Sequence, residues 1–460
     1  MANERERPIY SGASPHQVAA DLEPLVDFQA EGLSLEALSH LIGSRLVPHL
    51  MRYDRPGFLS MFNAVPEEGA HLGAGVALHF NQGVTNWQVS PGGAMLEELC
   101  CKRLCRLFGL PPSADATFMY CGTYANQQAL YLALHRRAAQ EGFDFGQRGL
   151  TGFRQPRRLT VLASEDAHFS LRHGVRLLGL GEQNLVALPV DGNRRIDIDR
   201  AQRTVRELAK TRDIFCLVAT AGTTGFGSVD PIAPLADTCR QLGAWLHVDG
   251  AYGLAYSLVP GWKALFAGLE RADSICWDPH KQLGVPIPNS LLFVTNGQDF
   301  KRMALYSHYF NRPQDEGTEP QPGLKSPPST RPLAALPLVA CLRHQGQKRL
   351  IEGLQAPLQA IRSLAEHLEG AADIRLAHTP DTGILCFRLQ PAGTADNHLD
   401  DLQEYVYRKI LDSGQRTIAI TRLNDQPVLR LVAVSPTVTL NALLEAVSAI
   451  RSAAAGYKET

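Results

Sequence analysis

Long apolar runs are missing from this chain. The run Pro332–Leu342, uncharged and mostly apolar, is too short to span a bilayer and is broken by prolines, so no membrane partner is expected. A surplus of either charge is missing too. Forty-five basic residues face forty-six acidic ones, a formal charge of −1, and without a basic excess no broad nucleic-acid surface is expected. The first residues, Met1 to Pro8, carry no apolar core of a secretory signal. None of the nine cysteines forms a Cys-x-x-Cys pair. Cys100, Cys101 and Cys105 therefore read as buried free thiols on a helix rather than a metal site, in a reducing, cytoplasmic compartment. A Walker A lysine is absent, and the glycines of Ala219–Gly227 stand in the wrong order for G-x-G-x-x-G. Nucleotide binding is thus only weakly supported.

What remains is a folded, globular composition, 45% apolar and 20% charged. The length suggests about three structural units, with a core large enough to need no disulfide or metal. Residues 1–85 mix short helical patterns with loops. Residues 86–345 alternate, with helical patterns at Met95–Leu107, Ala125–Ala138 and Ile232–Leu242. Strand candidates there are Leu159–Ala163, Leu185–Val190, Phe215–Thr220, Trp245–Val248, Ser274–Trp277 and Leu291–Thr295. Strands alternating with helices predict an α/β fold with a mostly parallel sheet, and their continuous apolar character suits burial on both faces. Residues 346–460 predict a small α+β domain, with helices over Gln347–Glu369 and Leu440–Ala455 and strands at Gly383–Leu389, Arg416–Ile420 and Val428–Val434. Asn311–Pro328, rich in proline and mixed charge, reads as a long exposed loop.

In such a sheet, chemistry gathers where strands end. One candidate strand ends at Asp249, before Gly250-Ala251-Tyr252-Gly253; another is followed by Asp278-Pro279-His280-Lys281. A strand-end aspartate alone is more often a turn cap, and a lone lysine a surface residue. An inward lysine and an inward aspartate together suggest pyridoxal 5'-phosphate. The amine forms a Schiff base with the cofactor aldehyde, and the carboxylate keeps the pyridine nitrogen protonated so that the ring accepts electrons. Gly122 and Thr123, opening a helical run, offer backbone N–H groups and a hydroxyl to a phosphate, although a plain N-cap explains Thr123 equally well. His168 and Thr220 each stand at a strand end. His168 is placed to stack on a flat ring, against the commoner reading of a structural histidine.

Ser164-Glu-Asp-Ala-His168-Phe-Ser170, Ala219-Thr220-Ala-Gly-Thr-Thr224, Trp245-Leu-His-Val-Asp249 and Trp277-Asp-Pro-His-Lys281 occur in an order and spacing that resembles the group II pyridoxal-phosphate decarboxylases, among them glutamate and aromatic-amino-acid decarboxylases. The resemblance implies fold type I of the PLP-dependent transferases. It implies an N-terminal dimerisation segment (1–85), a large PLP-binding domain (86–345) and a small C-terminal domain (346–460), acting as a homodimer. It assigns Lys281 to the Schiff base, Asp249 to the pyridinium nitrogen and His168 to one ring face, with Ala251 on the other. Gly122, Thr123 and His280 would meet the phosphate and Thr220 the phenolic oxygen. Asn81 and Gln82, within Phe80-Asn-Gln82, and Arg430, within Val428-Leu-Arg-Leu431, would face the substrate.

Two positions depart from the family pattern. Asp278 stands where asparagine is common, and a carboxylate beside a phosphate is repelled unless it turns away or meets a cation. The loop 311–330 lacks the tyrosine that commonly returns a proton to the substrate carbon; Tyr306, His308 and Tyr309 lie just before it. The expected reaction is decarboxylation of an L-amino acid to its amine. The missing tyrosine leaves open decarboxylation with oxidative deamination to an aldehyde, and the same apparatus serves transamination or another lyase reaction. A catalytically silent PLP-binding scaffold is a further alternative, opposed by the intact Lys281, Asp249 and His168.

Overall fold

The computed structural model describes residues 7–28, 31–307, 317 and 319–458. His308 and Tyr309 lie outside the described residues, as does most of the first half of the proline-rich loop. The chain divides into two compact units. The larger holds Pro66–Gln355 with Pro380–Thr382, and the smaller holds Met1–Val65, Ala356–Thr379 and Gly383–Thr460. These limits differ from the expected boundaries at 85/86 and 345/346. Residues 1–65 group with the C-terminal residues rather than standing as a third unit, because Phe58 bridges Thr417 and Val432 N–H donates to Leu59 O.

The helices α1 (Pro15–Leu22) and α2 (Leu35–Arg45) belong to the smaller unit. The larger unit carries α3 (Glu68–Phe80), α4 (Pro91–Leu107), α5 (Gly122–Gln140), α6 (Phe145–Arg148), α7 (Ser170–Leu177), α8 (Ile198–Leu208) and α9 (Ile232–Leu242). Its seven-stranded sheet comprises β1 (Asp115–Met119), β2 (Leu159–Ser164), β3 (Leu185–Leu188), β4 (Asp213–Thr220), β5 (Trp245–Asp249), β6 (Ser274–Trp277) and β7 (Ser290–Val294), in the order β1-β7-β6-β5-β4-β2-β3. Strands β2 to β6 pair in parallel, whereas β7 runs antiparallel to both β6 and β1. Every residue of β2, β5, β6 and β7 is buried, as strands covered on both faces require.

Strand β1 was not anticipated. Asp115 and Thr117 break its apolar run, and Thr117 is tolerated inside because Arg331 donates to its hydroxyl at 3.1 Å. Helix α10 (Ala335–Leu368) begins well before the expected Gln347, with Gly346 in a non-helical conformation (φ 63°, ψ 171°) marking a kink between its halves. The sequence pattern captured only the second half.

The smaller unit packs α11 (Leu399–Asp412) and α12 (Leu440–Ala454) on an antiparallel sheet of β8 (Ile374–Leu376), β9 (Ile384–Leu389), β10 (Ala419–Leu423) and β11 (Gln426–Val432), in the order β10-β11-β9-β8. Leu402, Val406, Leu429, Leu443 and Val447 form its core. The strand expected at Arg416–Ile420 sits three residues later, at β10. Asn424 and Asp425 both hold positive φ (49° and 62°), the two-residue turn that fixes hairpin register.

Candidate active site

Three parallel strands of the larger unit end at one level. Thr220 pairs across to Asp249, and Asp249 to Cys276. Beyond them the chain runs through small residues, and Gly253 is required: a Cβ there would lie 2.1 Å from Ala221 O. The resulting hollow, about 150 Å³, is lined by Gly122, Thr123, His168, Thr220, Asp249, Ala251 and Lys281 among others. These expected site residues come together. His280, Asn81, Gln82 and Arg430 do not line it.

Lys281 follows β6 on a tight turn in which its N–H donates to Asp278 O (3.0 Å). Its side chain is 22% exposed, and Nζ lies 3.1 Å from Asp278 Oδ2. Burial opposes the ammonium charge, but the Asp278 and Asp249 carboxylates outweigh it and hold the amine above its ordinary pKa. The carboxylate that departs from the family pattern thus meets a cation. Asp278 Oδ1 also accepts from the Ser290 hydroxyl. His280 does not itself line the hollow but stands behind it: Nε2 lies 3.6 Å from Asp278 Oδ2, Nδ1 is held at 2.6 Å from Asn289 O, and burial lowers its pKa.

His168 Nδ1 accepts from Ser170 N–H at 3.2 Å, so the neutral ring carries its proton on Nε2. Burial, countered by Asp249 and reinforced by Lys281, lowers its pKa and favours that neutral form. Thr220 N–H donates to Asp230 Oδ2 (2.7 Å), and Asp230 Oδ1 accepts Ile196 N–H (2.9 Å). Burial raises the Asp230 carboxyl to about 7. Tyr306, in contrast, lines a different cavity with Lys325 and Asp115.

Pyridoxal phosphate fits this hollow on three counts. The buried Thr220 hydroxyl has no hydrogen-bond partner among the described residues. A Cβ at Gly122 would stand 3.0 Å from Asp278 Oδ2 and 3.1 Å from Ala251 Cβ, so only glycine leaves the floor open. Helix α5 starts at Gly122 without a side-chain cap or an acidic residue in its first turn, leaving N–H groups for an anion. Cys121 and Thr123 also line a more open groove of about 650 Å³ with Tyr124, Gln127, His173, Arg176 and Leu177.

Sequence reasoning missed Asn126 and His247. Asn126 lies one helical turn after Gly122, and His247 two residues before Asp249, so helix and strand periodicity place each on the face of its better-recognised neighbour. Burial lowers the His247 pKa, and Asp249 only partly offsets this. An unfolded imidazole takes up its proton near pH 6.5 while the folded one stays neutral. Stability is therefore lost as pH falls. Between pH 6.5 and 5.5 the contribution amounts to about 1 kcal/mol. A His247→Gln protein is expected to lose correspondingly less over that interval, measured as the fall in thermal midpoint.

A lysine and an aspartate at aligned strand ends, an uncapped helix N-terminus and a glycine-floored hollow define a PLP enzyme of fold type I. The model for the pyridoxal-dependent decarboxylase conserved domain matches residues 15–390, and the chain belongs to that family. It is 29% identical over 434 residues to the L-2,4-diaminobutyrate decarboxylase of Rhizobium meliloti (strain 1021), covering 93% of this chain and 84% of that one. It is 25% identical over 430 residues to the aromatic-L-amino-acid decarboxylase of Bacillus atrophaeus, covering 92% and 86%. The crystal structure of the glutamate decarboxylase domain of a diaminobutyrate-pyruvate transaminase and L-2,4-diaminobutyrate decarboxylase from Vibrio parahaemolyticus shares the fold, with TM-score 0.87, 23% identity and coverage of 98% of this chain and 91% of that one. The enzyme is a pyridoxal-dependent carboxy-lyase that converts an amino acid to an amine and carbon dioxide.

Proposed function

We propose that Lys281 is the amine that holds the cofactor and Asp249 the partner of its pyridine nitrogen, within an L-amino acid decarboxylase. The observation that carries this reading is the shared hollow in which Lys281, Asp249, His168 and the unpartnered Thr220 hydroxyl meet. When bound, pyridoxal phosphate supplies an aldehyde that takes up amines and a ring that accepts the electron pair released as carbon dioxide leaves. The protein does the rest. The α5 N-terminus, with Gly122 and Thr123, would hold the phosphate, and Thr220 would donate to the phenolic oxygen. His168, neutral, and Ala251 would hold the ring between them. Lys281 would be the amine that holds the cofactor and later releases the amine product.

The acting form in this reading is a homodimer. An apolar cavity of about 650 Å³, walled by Met119, Tyr124, Tyr131, Leu177, Met303 and Leu305, supports it, as do the exposed Leu72, Leu78 and Phe80 of α3. Asn81 and Gln82, exposed at the end of α3, then serve the partner's hollow rather than their own. Arg430 is proposed as the substrate-carboxylate residue. Within the smaller unit its guanidinium donates to Ser60 O (3.2 Å) and lies over the Phe62 ring. The nine free cysteines agree with a reducing cytoplasm.

An amino-acid panel tests the reaction: 2,4-diaminobutyrate, aromatic amino acids, glutamate, aspartate and cysteine sulfinate, each with and without oxygen. One substrate is expected to yield carbon dioxide and amine in equal amounts at a rate indifferent to oxygen. Aldehyde with peroxide, formed only in oxygen, overturns simple decarboxylation.

A further inference from the structure

The Asp249 carboxylate is gripped from inside the fold. Asn126 Nδ2 donates to Asp249 Oδ2 at 2.7 Å and also contacts Ser170 Oγ at 2.8 Å. On its other side, Asn126 Oδ1 lies 2.9 Å from His247 Nε2. His247 Nδ1 lies 2.8 Å from Ser274 Oγ, which accepts the Trp245 indole N–H at 2.8 Å. Asn126 is 1% exposed, and His247 and Ser274 are fully enclosed.

The donor sense of this chain is forced. A carboxylate only accepts, so the amide nitrogen of Asn126 must face Asp249 and its oxygen must face His247. His247 must then donate from Nε2, which leaves Nδ1 as an acceptor for the Ser274 hydroxyl. Ser274 in turn accepts from Trp245. Every link donates toward Asp249, and hydrogen bonds aligned in one sense polarise one another in a low-dielectric interior. Trp245, His247 and Asp249 alternate along β5 and so share one face of the sheet. The Arg136 guanidinium, on the same helix as Asn126, lies 4.4 Å over the Trp245 ring, placing a cation at the chain's far end.

We propose that Asn126 and His247 are positioning residues: with Ser274 and Trp245 they form a one-directional hydrogen-bond relay that fixes the Asp249 carboxylate for the cofactor's ring nitrogen. This rests on Asp249 being that partner. Neither residue touches the reacting atoms.

The test uses the holoenzyme and four variants. Asn126→Leu removes the donor to Asp249, and His247→Leu removes the donor behind it. His247→Gln keeps an N–H for Asn126 Oδ1. Asp249→Asn tests the underlying assignment. Asn126→Leu and His247→Leu are expected to lower kcat about ten- to a hundredfold, the factor that one hydrogen bond to a charged group carries, with KM changed less than about threefold. Both should also shift the absorption maximum of the bound cofactor and weaken its retention on dialysis, and His247→Gln should recover most of each effect. Wild-type kcat, spectrum and retention in Asn126→Leu, with Asp249→Asn inactive, overturn the relay alone. A wild-type rate in Asp249→Asn overturns the assignment beneath it. Lost activity with an unshifted spectrum marks a merely structural role and also overturns the relay. Should His247→Leu fail to fold, Ser274→Ala, which cuts the relay behind His247, is expected to give the same spectral shift in smaller measure.

Discussion

A Lys281→Ala enzyme is expected to lose turnover by at least about a thousandfold, because among the described residues no other amine lines the hollow that would take up the cofactor. The same substitution strips Asp278 of its cation. Asp278 is buried, and its Oδ2 lies 3.1 Å from the ammonium, so removing one partner leaves the other enclosed and unbalanced. Activity and stability are separable here. Lys281→Arg restores a positive charge near Asp278 but cannot supply a nucleophilic amine, since a guanidinium stays protonated. Comparing the two variants by amine release and by thermal melting of the cofactor-free protein is expected to give two dead enzymes, of which only the alanine form melts early. Turnover retained in Lys281→Ala would contradict the assignment of the lysine.

The second large effect concerns stability at a distance from the hollow. Arg331 and Glu97 form a buried ion pair, with side chains only 4% and 3% exposed. Arg331 also donates to Thr117 and Ser326, and its own carbonyl accepts Val84 N–H at 2.7 Å. Nearby, Lys325 sits between Asp115 (2.7 Å) and Glu98 (2.9 Å). The second half of the proline-rich loop, expected to be exposed, and the residues just after it are thus riveted to α4 and β1 by the cations Lys325 and Arg331. Arg331→Met removes one of them and is expected to cost about 3–5 kcal/mol, read from the denaturant midpoint. Burial already raises the Glu97 pKa, and Arg331 holds that rise in check. Without Arg331 the carboxyl rises further, so the folded state binds a proton that the unfolded state has released. The deficit is then smallest where Glu97 is protonated in both proteins and grows as pH climbs from its already raised wild-type pKa toward the higher one. Adding Glu97→Gln should recover much of the loss and flatten that pH dependence.

These two sites differ in how openly the sequence declares them. The meeting of Lys281 and Asp249 in one hollow was legible because strand-end chemistry comes with local punctuation: small residues after Asp249, and a Pro-His-Lys turn after β6. The strands β2, β4, β5, β6 and β7 were legible because strands covered on both faces, parallel or, like β7, reversed, read as unbroken apolar runs. Arg331 was not legible. Its partner Glu97 lies 234 positions away, and a charge inside a helix pattern looks solvated until the fold encloses it. Asn126 and His247 were hidden for a related reason. A polar residue two places before a recognised aspartate looks like strand alternation, and only the arrival of α5 against β5 turns the pair into a relay. The β10 register was missed although its Asn-Asp turn was in plain view, because the apolar run upstream carried more weight than the turn chemistry.

The reversed strand β7 sets a length constraint on the Lys281 loop. In a wholly parallel sheet, the residues behind a strand's end lead away into a crossover and tolerate insertion. Here the chain leaves β6, turns at Lys281 and re-enters the sheet at Ser290 in the opposite sense. Asn289 and Ser290 therefore stand at the mouth as the beginning of a strand, one clasped to His280 and the other to Asp278. The stretch between Lys281 and Asn289 is a buckle of fixed span, closed at both ends. One residue more or fewer would turn Ser290 to the other face of the sheet, and Lys281 would lose the Asp278 carboxylate's anchorage. Substitutions inside this buckle that spare its two clasps are expected to be tolerated; an insertion or deletion there is not.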